Sequence, residues 1–483
     1  MSTRVLISTI PGEMRVAQLE DARTVDLQIE RRHERSGVGN VYLGRVARVL
    51  PGMQAAFVDI GLEKAGFLYV SDLAGDHDEE TRPRIEHVLN PGDTLLVQIQ
   101  KAPISTKGAR LTCQISLPGR HLVMMPTSDH IGISRRLEDE DERERLRRLI
   151  LEHRTTAGTG YIARTAADGA DEAALKRDIG FLDRLWHVLR ETMKTSAVPS
   201  LVWEDLPLHL RTLRDINPEG SVEILCDDDA VSDEVDAFLK RLQPGQQVEL
   251  HRWRGRETIW DHFGVGDEMR RALGRKVWLK SGGSIIIDQA EALTAIDINT
   301  GSYVGQSNPA ETILRTNLEA IPEIVHQLRL RNLGGMIIID FIDMEHEDHR
   351  NMVTDALELA LKRDPARTQV HAMSGLGLVE MTRKRVRESL GRQLSEPCYY
   401  CDGRGVLQSR LTIAFEVFRD FAARSGATNE PALVANVHPE VHDLILDQLP
   451  ESLAELSERL GKELRVQPKG SYHIEQFEVY AAK

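Results

Sequence analysis

The chain of 483 residues has few cysteines, few aromatic residues and no long hydrophobic run. Its four cysteines (Cys113, Cys226, Cys398 and Cys401) are too few for a disulfide-stabilised scaffold of this length. No apolar run approaches the roughly 20 residues that cross a membrane, and the N-terminal residues do not form a secretory leader. We therefore expect a protein of the cytoplasm without a membrane span.

An excess of basic charge is also missing. The formal net charge of −14 argues against indiscriminate nucleic-acid binding, although a local basic groove is compatible with an acidic total. Hydrophobic residues make up 41% of the chain and charged residues 28%, which is ordinary for a protein with a packed core. The length indicates several domains rather than one.

Two short runs rich in β-branched residues each contain a carboxylate at or near their end. Asp297 and Asn299 lie in LTAIDIN (293–299), and Asp340 follows the apolar run that begins at Met336. The segment between the runs predicts a helix, and a strand–helix–strand unit places its strands parallel with both carboxylates near one edge. Paired aspartates there favour a magnesium site for phosphate chemistry. Aspartates also end strands as turn formers or helix caps, and Asp343 is a weaker third candidate.

Glycine-punctuated short strands between residues 37 and 115 predict a small barrel of the oligonucleotide-binding type. The period of two puts Phe57 and Phe67 on the polar side of their strands, where aromatic rings could stack on nucleic-acid bases. Lys107 borders the last strand and could follow a phosphate backbone. Packing of the two rings against a neighbouring domain is the alternative.

A two-residue spacing separates Cys398 and Cys401, and glycines follow, as in half of a zinc knuckle. Zinc takes four ligands, and the chain contains no second pair with this spacing. Either histidines complete the site or two chains contribute one pair each, which would make the protein at least a dimer. A free or redox-active pair is the remaining alternative.

Three segments resemble the ribonuclease E/G family of bacterial endoribonucleases: GGSIIIDQAEALTAIDIN (282–299), TNLEAIPEIVHQLRLRNLGGMIIIDFIDM (316–344) and AAFVDIGLEKAGFL (55–68). The resemblance extends over nearly the whole chain. Because no long scaffold follows the small C-terminal segment, the chain is most similar to the ribonuclease G branch. A scaffold-less member of the ribonuclease E branch, acting mainly in mRNA decay, and a non-catalytic RNA-binding protein on the same fold are the alternatives.

The resemblance implies hydrolysis of single-stranded RNA that leaves 5′-phosphate and 3′-hydroxyl ends, with a preference for 5′-monophosphorylated substrates. It implies maturation of ribosomal RNA 5′ ends as a role, with messenger RNA as another substrate. By the same resemblance Asp297 and Asp340 bind Mg²⁺, and Asn299 is catalytic. Phe57, Phe67 and Lys107 would contact RNA. The 5′-phosphate pocket would comprise Gly119, Val123, Arg164, Thr165 and Arg367.

The family architecture implies an α/β multidomain fold. Its expected parts are an RNase H-like subdomain (1–35 plus 205–272), an inserted S1-type OB barrel (36–117), a 5′-phosphate sensor region (118–204), a DNase I-like catalytic subdomain (273–395), a zinc-link (396–406) and a small C-terminal α/β domain (407–483). The resemblance implies one zinc shared by the Cys398–Cys401 pairs of two chains, hence a dimer or a tetramer. The family usually has Cys-Pro-x-Cys here, and Tyr399 replaces that proline.

Overall fold

A computed structural model of the chain describes residues 3–34, 37–73, 83–102, 108–137, 139–156, 158–216, 221–242, 248–301 and 309–482. Lys107, one of the predicted RNA contacts, lies outside these ranges. The chain divides into two compact units, Met1–Gly391 and Arg392–Lys483. No described helix combines the length and the apolar character needed to cross a membrane.

The first unit begins with three antiparallel strands, β1 (Thr3–Ile10), β2 (Glu13–Glu20) and β3 (Arg23–Arg31). Gly12 forms the first turn with a φ of 94°, a backbone conformation that glycine adopts without a steric penalty. The strands bury alternate residues, as expected for a sheet with one face in a core.

A closed barrel follows, built from β4 (Val41–Leu50), β5 (Ala55–Asp59), β6 (Gly66–Tyr69), β7 (Thr94–Lys101) and β8 (Arg110–Thr112), with a short helix α1 (Ile85–Val88). The strand order is β4-β5-β6-β8-β7, and pairing of β7 with β4 closes the ring. Closure leaves no free edge among these five strands. The interior holds small and β-branched side chains, including Ala56, Val58, Leu68 and Leu111.

The next segment forms a four-stranded sheet against two helices. Its elements are β9 (Leu117–Pro118), β10 (Leu122–Met125), β11 (Ile131–Ile133), α2 (Glu140–His153), β12 (Gly160–Ala163) and α3 (Glu172–Thr195), in the sheet order β11-β12-β10-β9. The following strand β13 (Ser200–Trp203) pairs with β4 of the barrel.

The chain then returns to the first sheet through α4 (Leu208–Asp215), β14 (Val222–Cys226), α5 (Asp229–Leu242), β15 (Val248–Arg252), α6 (Ile259–His262) and α7 (Val265–Ala272). β14 pairs in parallel with β1, so the five-stranded sheet has the order β15-β14-β1-β2-β3. The barrel and the four-stranded sheet therefore interrupt this sheet in sequence.

A six-stranded sheet of order β16-β17-β18-β19-β21-β20 completes the first unit. Its elements are β16 (Lys276–Trp278), β17 (Ser284–Gln289), β18 (Leu293–Asn299), α8 (Pro309–Leu330), β19 (Gly335–Asp340), α9 (Glu347–Leu361), β20 (Thr368–Val370), β21 (Leu378–Arg383) and α10 (Leu390–Leu394), which runs into the second unit. One face packs on α8 and α9 through aliphatic residues such as Ile285, Ile296, Ile337 and Ile339.

The second unit contains α11 (Arg410–Ser425), β22 (Ala432–Val437), α12 (Pro439–Gln448), α13 (Pro450–Leu460), β23 (Glu463–Pro468) and β24 (Phe477–Ala482). Its three strands have the order β23-β22-β24. The prediction of a mixed α/β multidomain fold with a small barrel is confirmed. The RNase H-like and DNase I-like designations and the detailed domain boundaries stay predictions.

Candidate active site

The two predicted aspartates are directly opposite each other on neighbouring parallel strands. Asp297 of β18 and Asp340 of β19 are register partners, and both side chains are exposed on the sheet face that does not pack on the helices. Asn299 lies on the same face, two residues further along β18, and its amide Nδ2 donates a 2.7 Å hydrogen bond to the Asp297 carboxylate. The structure therefore brings the three predicted catalytic side chains together.

The local sequence explains why these side chains converge. Buried isoleucines alternate with Asp297 along β18 and precede Asp340 in β19, which fixes the register because a one-residue slip would expose them. The crossover helix α8 makes the two strands parallel. The side chain of Asn317 in α8 accepts the backbone N–H of Ile342 and donates to its carbonyl oxygen, which attaches the segment after β19 to the helix.

Negative charge accumulates at this edge of the sheet. Burial, together with the charges of Asp297 and Asp343, raises the pKa of the Asp340 carboxyl above its ordinary value. Mutual repulsion of this kind is relieved when a cation binds between the carboxylates. Asp343 thus contributes charge to the site, although its side chain is not on the paired strands.

The donor set fits a magnesium ion better than a closed metal cage. Among the described residues no group of three or more His, Cys, Asp and Glu side chains is arranged to hold a metal. Mg²⁺ is usually held by one or two carboxylates and keeps several of its water ligands. Asp297 and Asp340 provide that number of carboxylates on an exposed face.

The barrel carries a continuous aromatic strip on the side of β5 and β6 that faces away from its interior. Phe57 and Phe67 are register partners with ring centroids 5.4 Å apart, and Tyr69 lies 4.7 Å from Phe67. The guanidinium of Arg110 lies 5.0 Å from the centre of the Tyr69 ring, and Asp72 accepts hydrogen bonds from it. Tyr69 was not predicted from the sequence, although its parity with Phe67 is a signal that could have identified it.

Four of the five predicted phosphate-pocket residues lie close together around the four-stranded sheet. Val123 of β10 is the register partner of Ile162 in β12, and Arg164 and Thr165 follow β12 directly. The Arg164 guanidinium donates a 2.7 Å hydrogen bond to the Gly119 carbonyl oxygen. Such an arrangement presents a cation beside a backbone turn, which is suitable for binding a phosphate group.

Asp178 of helix α3 holds the turn at the base of this pocket. Its buried carboxylate accepts backbone N–H groups from three consecutive residues, Arg120, His121 and Leu122, at 3.2, 2.8 and 2.9 Å. A Cβ atom at Gly119 would lie 2.6 Å from the same carboxylate, so glycine is required for this close approach. Sequence reasoning missed Asp178.

A second unpredicted acidic residue contacts the pocket arginine directly. Asp215, the last residue of α4, forms a 2.8 Å ion pair with Arg164 and is also bound by Arg214. Burial opposes its ionisation, but the two arginines outweigh burial and lower the pKa of Asp215. Arg164 therefore has an acidic partner in addition to the Gly119 carbonyl.

Arg367, the fifth predicted pocket residue, lies on a separate loop just before β20. Its carbonyl oxygen accepts the backbone N–H of Lys384. Arg136, which precedes α2, donates to the carbonyl oxygen of Pro365, two residues before Arg367. The loop is further fixed by a buried ion pair between Asp364 and Arg383. Contact between the two regions is thus through Arg136 rather than through the described bonds of Arg367.

The cysteine pair forms a compact turn in the second unit. Cys401 is buried and its sulfur accepts the backbone N–H of Gly405 at 3.3 Å. Backbone N–H groups of Cys401 and Tyr400 lower the pKa of the exposed Cys398 thiol, which favours the thiolate form that binds metals. The Tyr400 ring packs on His473 with centroids 4.2 Å apart.

Comparison with known proteins agrees with this arrangement. Residues 116–386 match the ribonuclease E/G family model, and residues 397–482 match the model of the RNase E/G thioredoxin-like domain. Ribonuclease G of Escherichia coli strain K12 is 44% identical over 487 aligned positions, which cover 99% of both chains. The chain belongs to the ribonuclease E/G family.

Further relatives place the chain between the two branches of the family. Ribonuclease G of Haemophilus influenzae is 41% identical with 99% of both chains covered. Ribonuclease E of Escherichia coli strain K12 is 35% identical over 92% of this chain but only 42% of its own length. The predicted family and the predicted class of enzyme, an endoribonuclease, are confirmed, as is a small C-terminal domain, which is thioredoxin-like.

Proposed function

We propose that the protein is a magnesium-dependent endoribonuclease that cleaves single-stranded RNA and prefers substrates with a 5′-monophosphate. Its products would carry 5′-phosphate and 3′-hydroxyl ends, and its role would include 5′-end maturation of ribosomal RNA and other RNA processing and decay. The observation that supports the catalytic part is the register pairing of Asp297 with Asp340 on an exposed sheet face, beside the amide of Asn299.

In this proposal Asp297 and Asp340 hold one Mg²⁺, which when bound lowers the pKa of a water molecule and neutralises charge on the scissile phosphate. Asn299 has one amide hydrogen bond to Asp297, which fixes the orientation of its side chain. Its carbonyl oxygen can then accept a proton from the attacking water or position the phosphate through that water. The negative charge around Asp340 makes the site weak for RNA alone and dependent on the cation.

The remaining parts would hold the RNA. The aromatic strip of Phe57, Phe67 and Tyr69 offers π faces to unpaired bases, and stacking contributes about 1–3 kcal/mol for each base. We propose that Lys107 contributes a phosphate contact beside this strip. Arg164 and Thr165, with Gly119, Val123 and Arg367, would bind the 5′-monophosphate.

Substitution of one carboxylate tests the catalytic assignment. Asp340→Asn keeps the size of the side chain but removes a negative ligand, so we expect cleavage of a fluorescent 5′-phosphorylated RNA to be abolished while RNA binding is retained. Asp288→Asn is the matched control, because Asp288 lies in the same sheet but forms an exposed ion pair with Arg275. Wild-type cleavage rates for Asp340→Asn, or full activity in EDTA, would refute the proposal. RNA binding without cleavage by the wild-type protein would favour a non-catalytic role.

We further propose that Cys398 and Cys401 of two chains share one Zn²⁺ and so form a dimer. Support comes from the two thiols in one turn and from the shortage of further ligands in the described part of one chain. Cys401→Ala should lose zinc, measured by elemental analysis, and should sediment as a monomer. A stoichiometry of one zinc for each chain, or a dimer that survives without zinc, would contradict a shared site.

A further inference from the structure

An exposed tryptophan lies on the catalytic sheet but has no part in the proposed function. Trp278 ends the edge strand β16 and leaves 66% of its surface exposed. Its neighbour Val277 packs against the core of the sheet, so Trp278 points to the opposite face. Burying a tryptophan is strongly favourable, and this degree of exposure is therefore unusual for a structural side chain.

The sheet register places this ring beside the candidate catalytic residues. Trp278 is paired with Ser284, and Ser284 is paired with Asn299, so all three belong to one row on one face. Lys276 begins the adjacent row, which passes through Ile286 to Asp297. Because neighbouring strands are about 4.8 Å apart, Trp278 and Lys276 lie about 10 Å from the catalytic side chains in the direction across the strands.

Charge and ring geometry indicate the class of ligand. The ammonium group of Lys276 lies 3.8 Å from the centroid of the Trp278 ring, which is a cation–π contact. A cation beside an exposed π face, next to two carboxylates that would repel an acidic partner, matches a nucleotide: the base can stack and the phosphate can meet the cation. A peptide or a small apolar ligand would not use both groups.

We propose that Trp278 and Lys276 form an RNA subsite that binds an unpaired nucleotide close to the scissile phosphate. Trp278 stacks on the base and Lys276 contacts the backbone phosphate. This subsite rests on the proposed site of cleavage at Asp297 and Asp340, but it is distinct from the aromatic strip of the barrel. It holds the strand on the catalytic sheet itself and so positions the phosphate to be cleaved.

Steady-state cleavage of a 5′-phosphorylated single-stranded RNA by the full-length chain provides the first test. Loss of one stacked base predicts a KM about 5- to 150-fold higher for Trp278→Ala, with most of the affinity restored in Trp278→Phe, which keeps a π face. Leu359→Ala is the matched control. Leu359 is also 66% exposed but lies on α9, on the other side of the sheet, and its substitution should leave KM unchanged.

Abasic substitutions in the RNA identify the stacked nucleotide. Removing the base at one position near the scissile phosphate should weaken binding to the wild-type protein and should have little further effect on Trp278→Ala. This coupling is expected of a direct contact and not of general destabilisation. Binding is measured in EDTA, where no cleavage occurs, so it remains measurable even if the cleavage proposal fails.

Tryptophan fluorescence gives an independent readout. RNA should quench part of the emission of the five tryptophans, and this change should be lost in Trp278→Phe. The inference is overturned if no abasic position couples to Trp278, or if Trp278→Ala changes the sedimentation coefficient and leaves RNA binding intact. That last result would mean that the tryptophan contacts a second copy of the chain.

Discussion

The buried carboxylate of Asp178 allows a quantitative prediction about the phosphate pocket. It accepts three consecutive backbone N–H groups of residues 120–122 and lies beside the guanidinium of Arg120. Burial lowers the pKa of Arg120 and the charge of Asp178 opposes that change. Among the described residues, Nη1 of Arg120 has no hydrogen-bond partner, so the nearby negative charge is its main compensation.

Asp178→Asn removes this charge and replaces one acceptor oxygen with a donor group. At least one of the three N–H groups would then lose its acceptor, at a cost of about 1–3 kcal/mol. Arg120 would be left as a buried charge without compensation. Breaking a buried charge interaction by removing one partner costs about 3–5 kcal/mol, and we take this as the expected total.

Hydrogen–deuterium exchange measures the effect locally, which suits a chain with more than one compact unit. A loss of about 3–5 kcal/mol predicts exchange about 100- to 4,000-fold faster at the amides of residues 120–122. The preference for 5′-monophosphorylated RNA should fall as well, since Gly119 and Arg164 share this turn. The control is Glu191→Gln on the same helix, where an exposed ion pair with Lys194 is lost. Acceleration below about fivefold, with the preference unchanged, would refute the reasoning.

Two further predictions concern charge. Asp215→Asn removes an acidic group beside Arg164, so the extra charge of a 5′-triphosphate should be repelled less and the monophosphate-to-triphosphate ratio of kcat/KM should fall by up to about fivefold. Arg164→Ala should abolish the preference, and an unchanged ratio in Asp215→Asn would contradict a role in selectivity. Burial, with Arg23 nearby, lowers the pKa of His326 to about 4, so unfolding takes up a proton between pH 6.5 and 4. Stability should be complete above pH 6.5 and decrease by about 3 kcal/mol towards pH 4, and denaturant unfolding of His326→Gln should show a weaker pH dependence.

The sequence predicts the carboxylate pair well because its causes are local. Alternating isoleucines set the faces of β18 and β19, and the helix between them makes the strands parallel. The same period of two correctly puts Phe57 and Phe67 on the outside of the barrel, where their rings meet. Whether these side chains bind magnesium and RNA stays a prediction, because geometry alone does not establish a role.

The residues that sequence reasoning missed depend on long-range contacts. Asp178 occurs within the 24-residue helix α3, and only packing against a turn 56 to 58 positions earlier in the chain identifies it as buried. Asp215 is likewise the end of a short helix until Arg164 reaches it. Trp278 lies in a three-residue edge strand that is too short for a periodic pattern, so its face becomes evident only from its pairing with Ser284.

The acidic total of the chain and its proposed RNA substrate are compatible because the cations near the candidate RNA sites are few and partly neutralised. Arg110 is bound by Asp72, and Arg164 by Asp215, so neither offers a full unit of charge to a phosphate. Attraction to phosphates alone would bind any nucleic acid and would depend steeply on salt. With that attraction reduced, binding must depend more on stacking with the aromatic strip and, as proposed, with Trp278. Bases within a duplex cannot stack on these rings, and the charge pattern therefore favours single-stranded RNA.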